Sequence, residues 1–136
     1  MAEAIEPVWI GERDALSIHD RLIAIHGGAA GIRDHGLLQS ALARPRQHYT
    51  YAEHPDVIEL AAAYAAGIIR NHPFIDGNKR TGFLLGALFL EINGYRFIAT
   101  EEDAAQAVIS LAAGTIAEDD YAAWLRTNVR RSRPAK

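Results

Sequence analysis

The chain has 136 residues, of which 49% are hydrophobic and 23% charged, with a formal net charge of −3. The length fits one domain, and the composition excludes disordered and low-complexity proteins because there are enough apolar residues to form a core. The sequence contains no cysteine, which excludes disulfide frameworks, thiolate nucleophiles and thiol-ligated metal centres.

The start of the chain lacks the pattern of a targeting segment. Residues 1–7 contain acidic residues where a secretory signal needs basic residues followed by an apolar run. The longest apolar stretch, residues 83–90, is much shorter than the roughly 20 residues that span a bilayer. We therefore expect a soluble, cytoplasmic protein without membrane contact, with a single domain over residues 1–136.

The first helix is predicted from about Arg13 to His26, because apolar residues recur there at steps of three and four. Two glycines at positions 27 and 28 end this helix, and a glycine-containing loop follows. His19 and His26 lie on one side of the helix without a partner at metal-ligand spacing. We expect both histidines to pack at the surface or at an interface.

A short second helix is predicted between Asp34, which is placed to cap its N-terminus, and Pro45, which ends it. The segment from Pro45 to Asp56 has no helical periodicity and contains prolines, histidines and neighbouring tyrosines. It is therefore predicted to be an extended, partly exposed flap.

The next two helices are predicted at about 57–71 and 78–92, and both are apolar on most sides, as central helices are. A short extended piece is expected over residues 95–99. Two further helices with acidic first turns are predicted over about 100–112 and from residue 118; the second has a buried stripe formed by Tyr121, Trp124, Leu125 and Val129. The predicted fold class is an all-α bundle of about six helices, with its core at about 13–128 and the flap between the second and third helices.

The C-terminal segment is basic. Residues 126–136 contain five basic and no acidic residues, whereas the rest of the chain has a net charge of −8. Such a segment is compatible with nucleic acid contact or with a solvated helix end whose cations complement the helix dipole. We favour the second interpretation, a solvated helix end, and expect no direct nucleic acid binding. The part of this segment beyond the predicted core, residues 129–136, is called the basic tail.

The candidate functional residues lie between the two central helices, in the segment Asn-His-Pro-Phe-Ile-Asp-Gly-Asn-Lys-Arg-Thr at positions 71–81. Pro73 disfavours helical geometry at His72, and Gly77 can adopt a positive φ without strain. We therefore predict a tight polar loop that leads into a helix beginning at Asn78. The unpaired backbone amides of a helix N-terminus bind phosphate.

The side chains of this loop suit phosphoryl or nucleotidyl transfer. His72 is a candidate general base for an attacking hydroxyl, and Asp76 is an oxygen ligand for Mg²⁺, which usually binds one or two carboxylates and substrate phosphates. Lys79 and Arg80 add positive charge. Taken singly, each residue has an ordinary structural explanation. Two cations in a first turn, however, oppose the helix dipole unless an anion binds there, so together they predict transfer from a magnesium–nucleotide complex.

Residues 72–81 resemble the signature loop of the Fic/Doc superfamily, His-x-Phe-x-Asp/Glu-Gly-Asn followed by Arg. The form with Lys79 and then Arg80-Thr81 is similar to that of its Doc (death-on-curing) toxins. Further Doc-like features are Asn93-Gly94 and the segment at 27–45, which contains Gly27-Gly28, Gly31-Ile32-Arg33-Asp34 and Ala41-Leu42-Ala43-Arg44-Pro45. The resemblance covers roughly residues 15–125.

The resemblance implies an ATP-dependent enzyme that modifies a protein hydroxyl. It implies that His72 is the base, that Asp76 binds Mg²⁺, and that the nucleotide phosphates are held by Gly77, Asn78, Lys79 and Arg80. Fic members transfer AMP and have glycine at the position of Lys79 and a second arginine at that of Phe83. Departures at these two positions accompany delivery of the γ-phosphate in Doc-type members.

The resemblance therefore implies a protein kinase, the toxin of a type II toxin–antitoxin module, that phosphorylates a threonine of elongation factor Tu and arrests translation. Alternatives are Fic-type AMP transfer and a catalytically inactive Fic-fold binding module. The implied partner is a Phd-like antitoxin whose disordered tail folds on binding. The sequence has no Ser/Thr-x-x-x-Glu-Gly/Asn inhibitory motif, so we expect inhibition by another chain.

The predicted flap resembles the Fic flap that aligns a target segment by strand addition. The candidate target-binding residues of this flap are Arg46, His48, Tyr49, Thr50 and Tyr51. An ordinary surface loop is an equally good interpretation of the segment.

Overall fold

A computed structural model of the chain describes residues 6–52 and 55–132. In chain order, these residues form the elements α1 (Glu12–His26), α2 (His35–Tyr51), α3 (Val57–Asn71), α4 (Asn78–Ile92), β1 (Tyr95–Phe97), α5 (Glu101–Ala113), α6 (Glu118–Thr127) and β2 (Val129–Arg131). The predicted all-α fold class is confirmed, with one small antiparallel sheet, β1–β2, in addition. None of the helices in the described ranges has the length and apolar character needed to cross a membrane.

The centre of the bundle is formed by α3 and α4. Every residue of α3 from Leu60 to Ile69 is buried. The two helices approach closely at two glycines of α4: a Cβ atom on Gly82 would lie 2.8 Å from Ile69 Cγ1, and one on Gly86 would lie 3.0 Å from the carbonyl oxygen of Ala61. This close contact fixes the C-terminus of α3 relative to the N-terminus of α4, and the polar loop joins these two ends.

The second helix does not end at Pro45, and this prediction was wrong. The helix α2 continues to Tyr51, so the predicted flap is helical up to that residue, and positions 53 and 54 of it lie outside the described residues. A proline inside a helix costs about 3 kcal/mol, but here burial opposes that cost, because Pro45 is buried and the ring of Tyr49 packs edge-on against Trp9 at 5.5 Å. Pro45 has no backbone N–H, so the carbonyl of Ala41, four residues earlier, receives no hydrogen bond from position 45. This carbonyl lies against Gly67 of α3.

The buried core also includes residues before α1 and after α6. Ile10 is 3% exposed, and its amide and carbonyl both bond the hydroxyl of Tyr64. After α6 the chain forms β2 rather than a continued helix, so Val129 is buried opposite Phe97 in the sheet. The edge of β1 offers backbone partners to this segment, and the Arg131 guanidinium lies over the Tyr95 ring at 5.4 Å. Residues 133–136 of the predicted tail lie outside the described ranges.

Asp56 joins the start of α3 to α6. Its Oδ1 accepts a hydrogen bond from the Glu59 amide at 2.8 Å, and its Oδ2 accepts one from Arg126 Nη1 at 2.5 Å. Burial by itself would raise the pKa of Asp56, but the hydrogen bonds from Arg126 and Glu59 outweigh it and lower the pKa. The ionised carboxylate is therefore favoured by folding.

Replacing Arg126 by glutamine should destabilise the fold at neutral pH by less than about 1 kcal/mol, because the ion pair is half exposed and screened by water. Since folding lowers the pKa of Asp56, the stabilisation is complete above the unfolded-state pKa and is lost as pH falls through the folded-state pKa. Urea unfolding of both proteins should therefore give different midpoints at neutral pH and converging midpoints in strong acid. A difference that persists unchanged in acid would contradict this role of Asp56.

Candidate active site

The polar loop, residues 72–77, begins and ends with a residue in the left-handed conformation. His72 has φ 52° and is the one non-glycine residue with positive φ among those that the structure describes. Gly77 has φ 78° and precedes the first turn of α4, as its sequence position predicts. The left-handed region costs a residue with a Cβ roughly 1–2 kcal/mol, so the rest of the structure must hold His72 in place.

Asn78 closes the loop from inside. Its side chain is 3% exposed, its Oδ1 accepts a hydrogen bond from the Phe74 amide, and its Nδ2 donates one to the Phe74 carbonyl, both at 3.0 Å. Because the side-chain amide is engaged within the protein on both sides, Asn78 has its backbone N–H, at the start of α4, to offer to a phosphate.

His19 lies beneath the loop, so of the two expected positions, at the surface or at an interface, the surface position was wrong. It is 1% exposed, its ring stacks on Phe74 with centroids 3.8 Å apart, and its Nε2 donates to the backbone carbonyl of Asp76 at 2.8 Å. The sequence held a partial signal for this position, because Ala15, His19 and Leu22 follow one another at steps of four and three and so share one face of α1. His26, in contrast, is exposed.

The carboxylate of Asp76 is oriented by two backbone amides. Its Oδ1 accepts a hydrogen bond from Gly77 N at 3.0 Å, and its Oδ2 accepts one from Ala29 N at 3.3 Å. Each carboxylate oxygen has a second lone pair for a cation. One carboxylate fits Mg²⁺ that arrives with nucleotide phosphates; no group of three or more metal-ligating side chains occurs within residues 6–52 and 55–132.

The loop and the start of α4 form one wall of a cavity of about 670 Å³, a size typical of small-molecule sites. This wall contains all six candidate residues of the loop region: His72, Asp76, Gly77, Asn78, Lys79 and Arg80. The rest of the lining is mainly apolar and includes Phe83 of α4, Phe97, Ala104, Val108 and Ile109, with Thr100 and Glu101 at the start of α5 as polar members. The cavity therefore combines an imidazole, the carboxylates of Asp76 and Glu101, two cations and the N-terminus of α4 with a surface suited to an aromatic or apolar group.

The five candidate flap residues lie elsewhere, in the last two turns of α2, and none belongs to the described lining of this cavity. The Arg46 guanidinium lies 5.4 Å from the Trp9 ring centroid, and His48 Nε2 lies 3.5 Å from a carboxylate oxygen of Glu59. Tyr51 is 85% exposed. The predicted extended edge is absent from the described part of this segment, and a target-binding role for it stays a prediction.

The chain is similar to known proteins over the region that holds this site. A family model described as Fic/DOC family matches residues 9–90, which include the whole loop and most of α4. "Protein kinase doc" of Escherichia phage P1 is 32% identical over 117 residues, or 86% of this chain and 92% of the phage protein. "Toxin Doc" of Mycolicibacterium smegmatis is 42% identical over 74 residues, or 54% of this chain and 57% of that protein.

Proposed function

Because the chain belongs to the Fic/Doc family, we propose that it is a Doc-type toxin that transfers the γ-phosphate of ATP to a hydroxyl group of a protein. The observation that carries the proposal is the joint position of His72, Asp76 and the N-terminus of α4 on one cavity wall. The names of the two relatives, a protein kinase and a toxin, support a transferase of this class.

In the proposed reaction, His72 accepts the proton of the target hydroxyl while the hydroxyl oxygen attacks the γ-phosphorus. The bond from that phosphorus to the β–γ bridging oxygen breaks, and ADP leaves. The amides at the start of α4, together with Lys79 and Arg80, hold the phosphate oxygens and their negative charge. Asp76 would bind Mg²⁺ together with the phosphates, and the ion would neutralise charge on them.

Two residues favour γ-phosphate transfer over AMP transfer. The side chain of Lys79 narrows the approach to the helix N-terminus and adds a charge there. Phe83 contributes an apolar ring instead of a second cation, and it packs edge-on against Phe97 at 5.5 Å. A site with these residues lacks the second arginine that would bind an extended triphosphate. Attack at the α-phosphorus is therefore the less favourable alternative.

The wider role that we propose is the toxin of a type II toxin–antitoxin module in the cytoplasm. A Phd-like antitoxin would inhibit it through a segment that folds on binding. The proposed target is a threonine of elongation factor Tu, whose phosphorylation would arrest translation. The name "Toxin Doc" of one relative supports the toxin role.

The direction of transfer is tested with ATP labelled at either the α- or the γ-phosphate. We expect the purified protein, in the presence of Mg²⁺, to transfer the γ label and not the α label to elongation factor Tu, because the site favours attack at the γ-phosphorus. Incorporation of the α label would instead establish AMP transfer. Failure of both labels to transfer, to this target and to the proteins of a cell lysate, would support the inactive binding module.

A further inference from the structure

We propose that residues 27–34, between α1 and α2, form a clamp that positions the catalytic loop, and that Arg33 is its principal positioning residue. The catalytic consequence of this inference rests on the proposed function. The structural part rests on contacts between the clamp and the loop, which are separated by about forty positions in the sequence.

Arg33 holds the backbone at the start of the loop. Its Nε donates a hydrogen bond to the His72 carbonyl at 2.7 Å, and its Nη2 donates one to the Asn71 carbonyl at 2.9 Å. These carbonyls lie at the C-terminus of α3, where they lack intrahelical donors and form the negative end of the helix dipole. The planar fork of the guanidinium binds two neighbouring acceptors at once, so it fixes the backbone of His72 in its left-handed conformation.

The backbone of the clamp runs antiparallel to the middle of the loop. The amides of Arg33 and Asp34 both donate to the Pro73 carbonyl, at 2.7 and 3.0 Å. The Ile75 amide donates to the Gly31 carbonyl at 3.1 Å. These hydrogen bonds leave residues 73–75 little freedom to move relative to the clamp.

The far end of the clamp reaches the carboxylate of Asp76. The Ala29 amide donates to Asp76 Oδ2 at 3.3 Å. Gly28 has φ 115°, and a Cβ atom at this position would lie only 2.7 Å from the same carboxylate oxygen. The clamp thus contacts the backbone of the proposed base and the side chain of the proposed metal ligand, which are the two groups whose relative position the reaction depends on.

The clamp is separate from the hydrophobic core. All of residues 27–34 are exposed, and none belongs to the buried core cluster. Loss of the Arg33 side chain should therefore disturb the loop far more than it disturbs folding. A side chain with only a structural role would lower stability and activity together.

The catalytic part of the inference is tested with Arg33→Ala and with Arg21→Ala as a matched control, since Arg21 is an exposed arginine of α1 outside the clamp. We expect Arg33→Ala to lower kcat for γ-phosphate transfer about 10- to 100-fold, because a misplaced base reacts slowly, and to leave KM for ATP nearly unchanged. Millimolar guanidinium ion should restore part of the kcat of Arg33→Ala and have no effect on the control. An Arg33→Ala protein with full activity would overturn the inference.

The structural part is tested by amide hydrogen exchange, which does not depend on activity. In Arg33→Ala the amides of Asp34 and Ile75, which bond across the clamp, should exchange faster, while buried amides of α3 and α4 keep their protection. Unchanged exchange at both amides would overturn the clamp. It would also be overturned if the buried core amides lost protection in general and guanidinium did not restore activity, because Arg33 would then act only on folding. A wild-type protein that transfers no phosphate would refute the proposed function alone, and exchange would still decide the clamp.

Discussion

Replacing His72 by alanine should lower the rate of γ-phosphate transfer by about 100- to 10,000-fold, the range that a general base contributes. The loss should appear in kcat, because the phosphates are held by the start of α4 and not by the imidazole. Growth arrest on expression should disappear with it, whereas binding of the antitoxin should survive. Transfer of γ-labelled phosphate to the target protein measures the first effect, and co-purification with the antitoxin measures the last.

Because His72 has a positive φ, a second variant is needed to separate loss of the imidazole from a change in the loop backbone. Alanine at φ 52° could alter the loop as well as remove the base. Asparagine tolerates the left-handed region well and cannot take up the proton, so His72→Asn should retain the loop and lose activity to the same extent. His26→Ala, which changes an exposed histidine at the end of α1, is the matched control and should transfer phosphate normally. Full activity in either His72 variant would show that this imidazole is not the base.

The parts of the site that the sequence predicted are those with local signals. The bounds of α3 and α4 agree with the prediction because Asp56, Pro73 and Gly77 mark helix ends through their own backbone and side-chain chemistry. The same residues predict a loop with a helix N-terminus at its exit. Six candidate residues of one short segment therefore line one cavity, as expected for neighbours on a tight loop.

The parts that were missed depend on contacts between distant segments. Pro45 predicts a helix end by its own chemistry, but burial against other elements carries α2 onwards to Tyr51. His19 contacts a carbonyl 57 positions away, and Arg33 contacts carbonyls 38 and 39 positions away. Sequence periodicity gives the face of a helix on which a residue lies, but it does not identify the element that this face meets.

The distant contacts also explain how His72, in its left-handed conformation, can be held at an exposed position. The loop shares hydrogen bonds with the clamp on its outer side and with Asn78 and His19 on its inner side. Each bond contributes on the order of 1 kcal/mol, which together exceeds the cost of the left-handed His72. The fold can thus keep the imidazole of His72 exposed while its backbone is held in place.

Replacing Gly82 by valine should destabilise the protein by about 2–3 kcal/mol and lower Tm by about 10 °C. A Cβ at this position would lie 2.8 Å from Ile69 Cγ1 and 3.0 Å from the Ala65 carbonyl oxygen, and the backbone oxygen cannot move without displacing α3. The gain in helix propensity over glycine is less than about 1 kcal/mol for a β-branched residue, so the steric cost exceeds it. Thermal unfolding followed by circular dichroism measures the change.

Gly11→Val is the matched control for this substitution, because a Cβ on Gly11 meets nothing within 4 Å. It should cost less than about 1 kcal/mol, the effect of a poorer residue at the N-cap of α1. Since α4 carries Lys79 and Arg80 in its first turn, displacing it from α3 should also raise KM for ATP in the Gly82 variant. This effect should appear at temperatures well below the Tm of the variant, where it is still folded. A Gly82→Val protein with wild-type Tm and KM would mean that the helices do not need this close approach and that the hydrogen bonds from the clamp, His19 and Asn78 are sufficient to hold the loop.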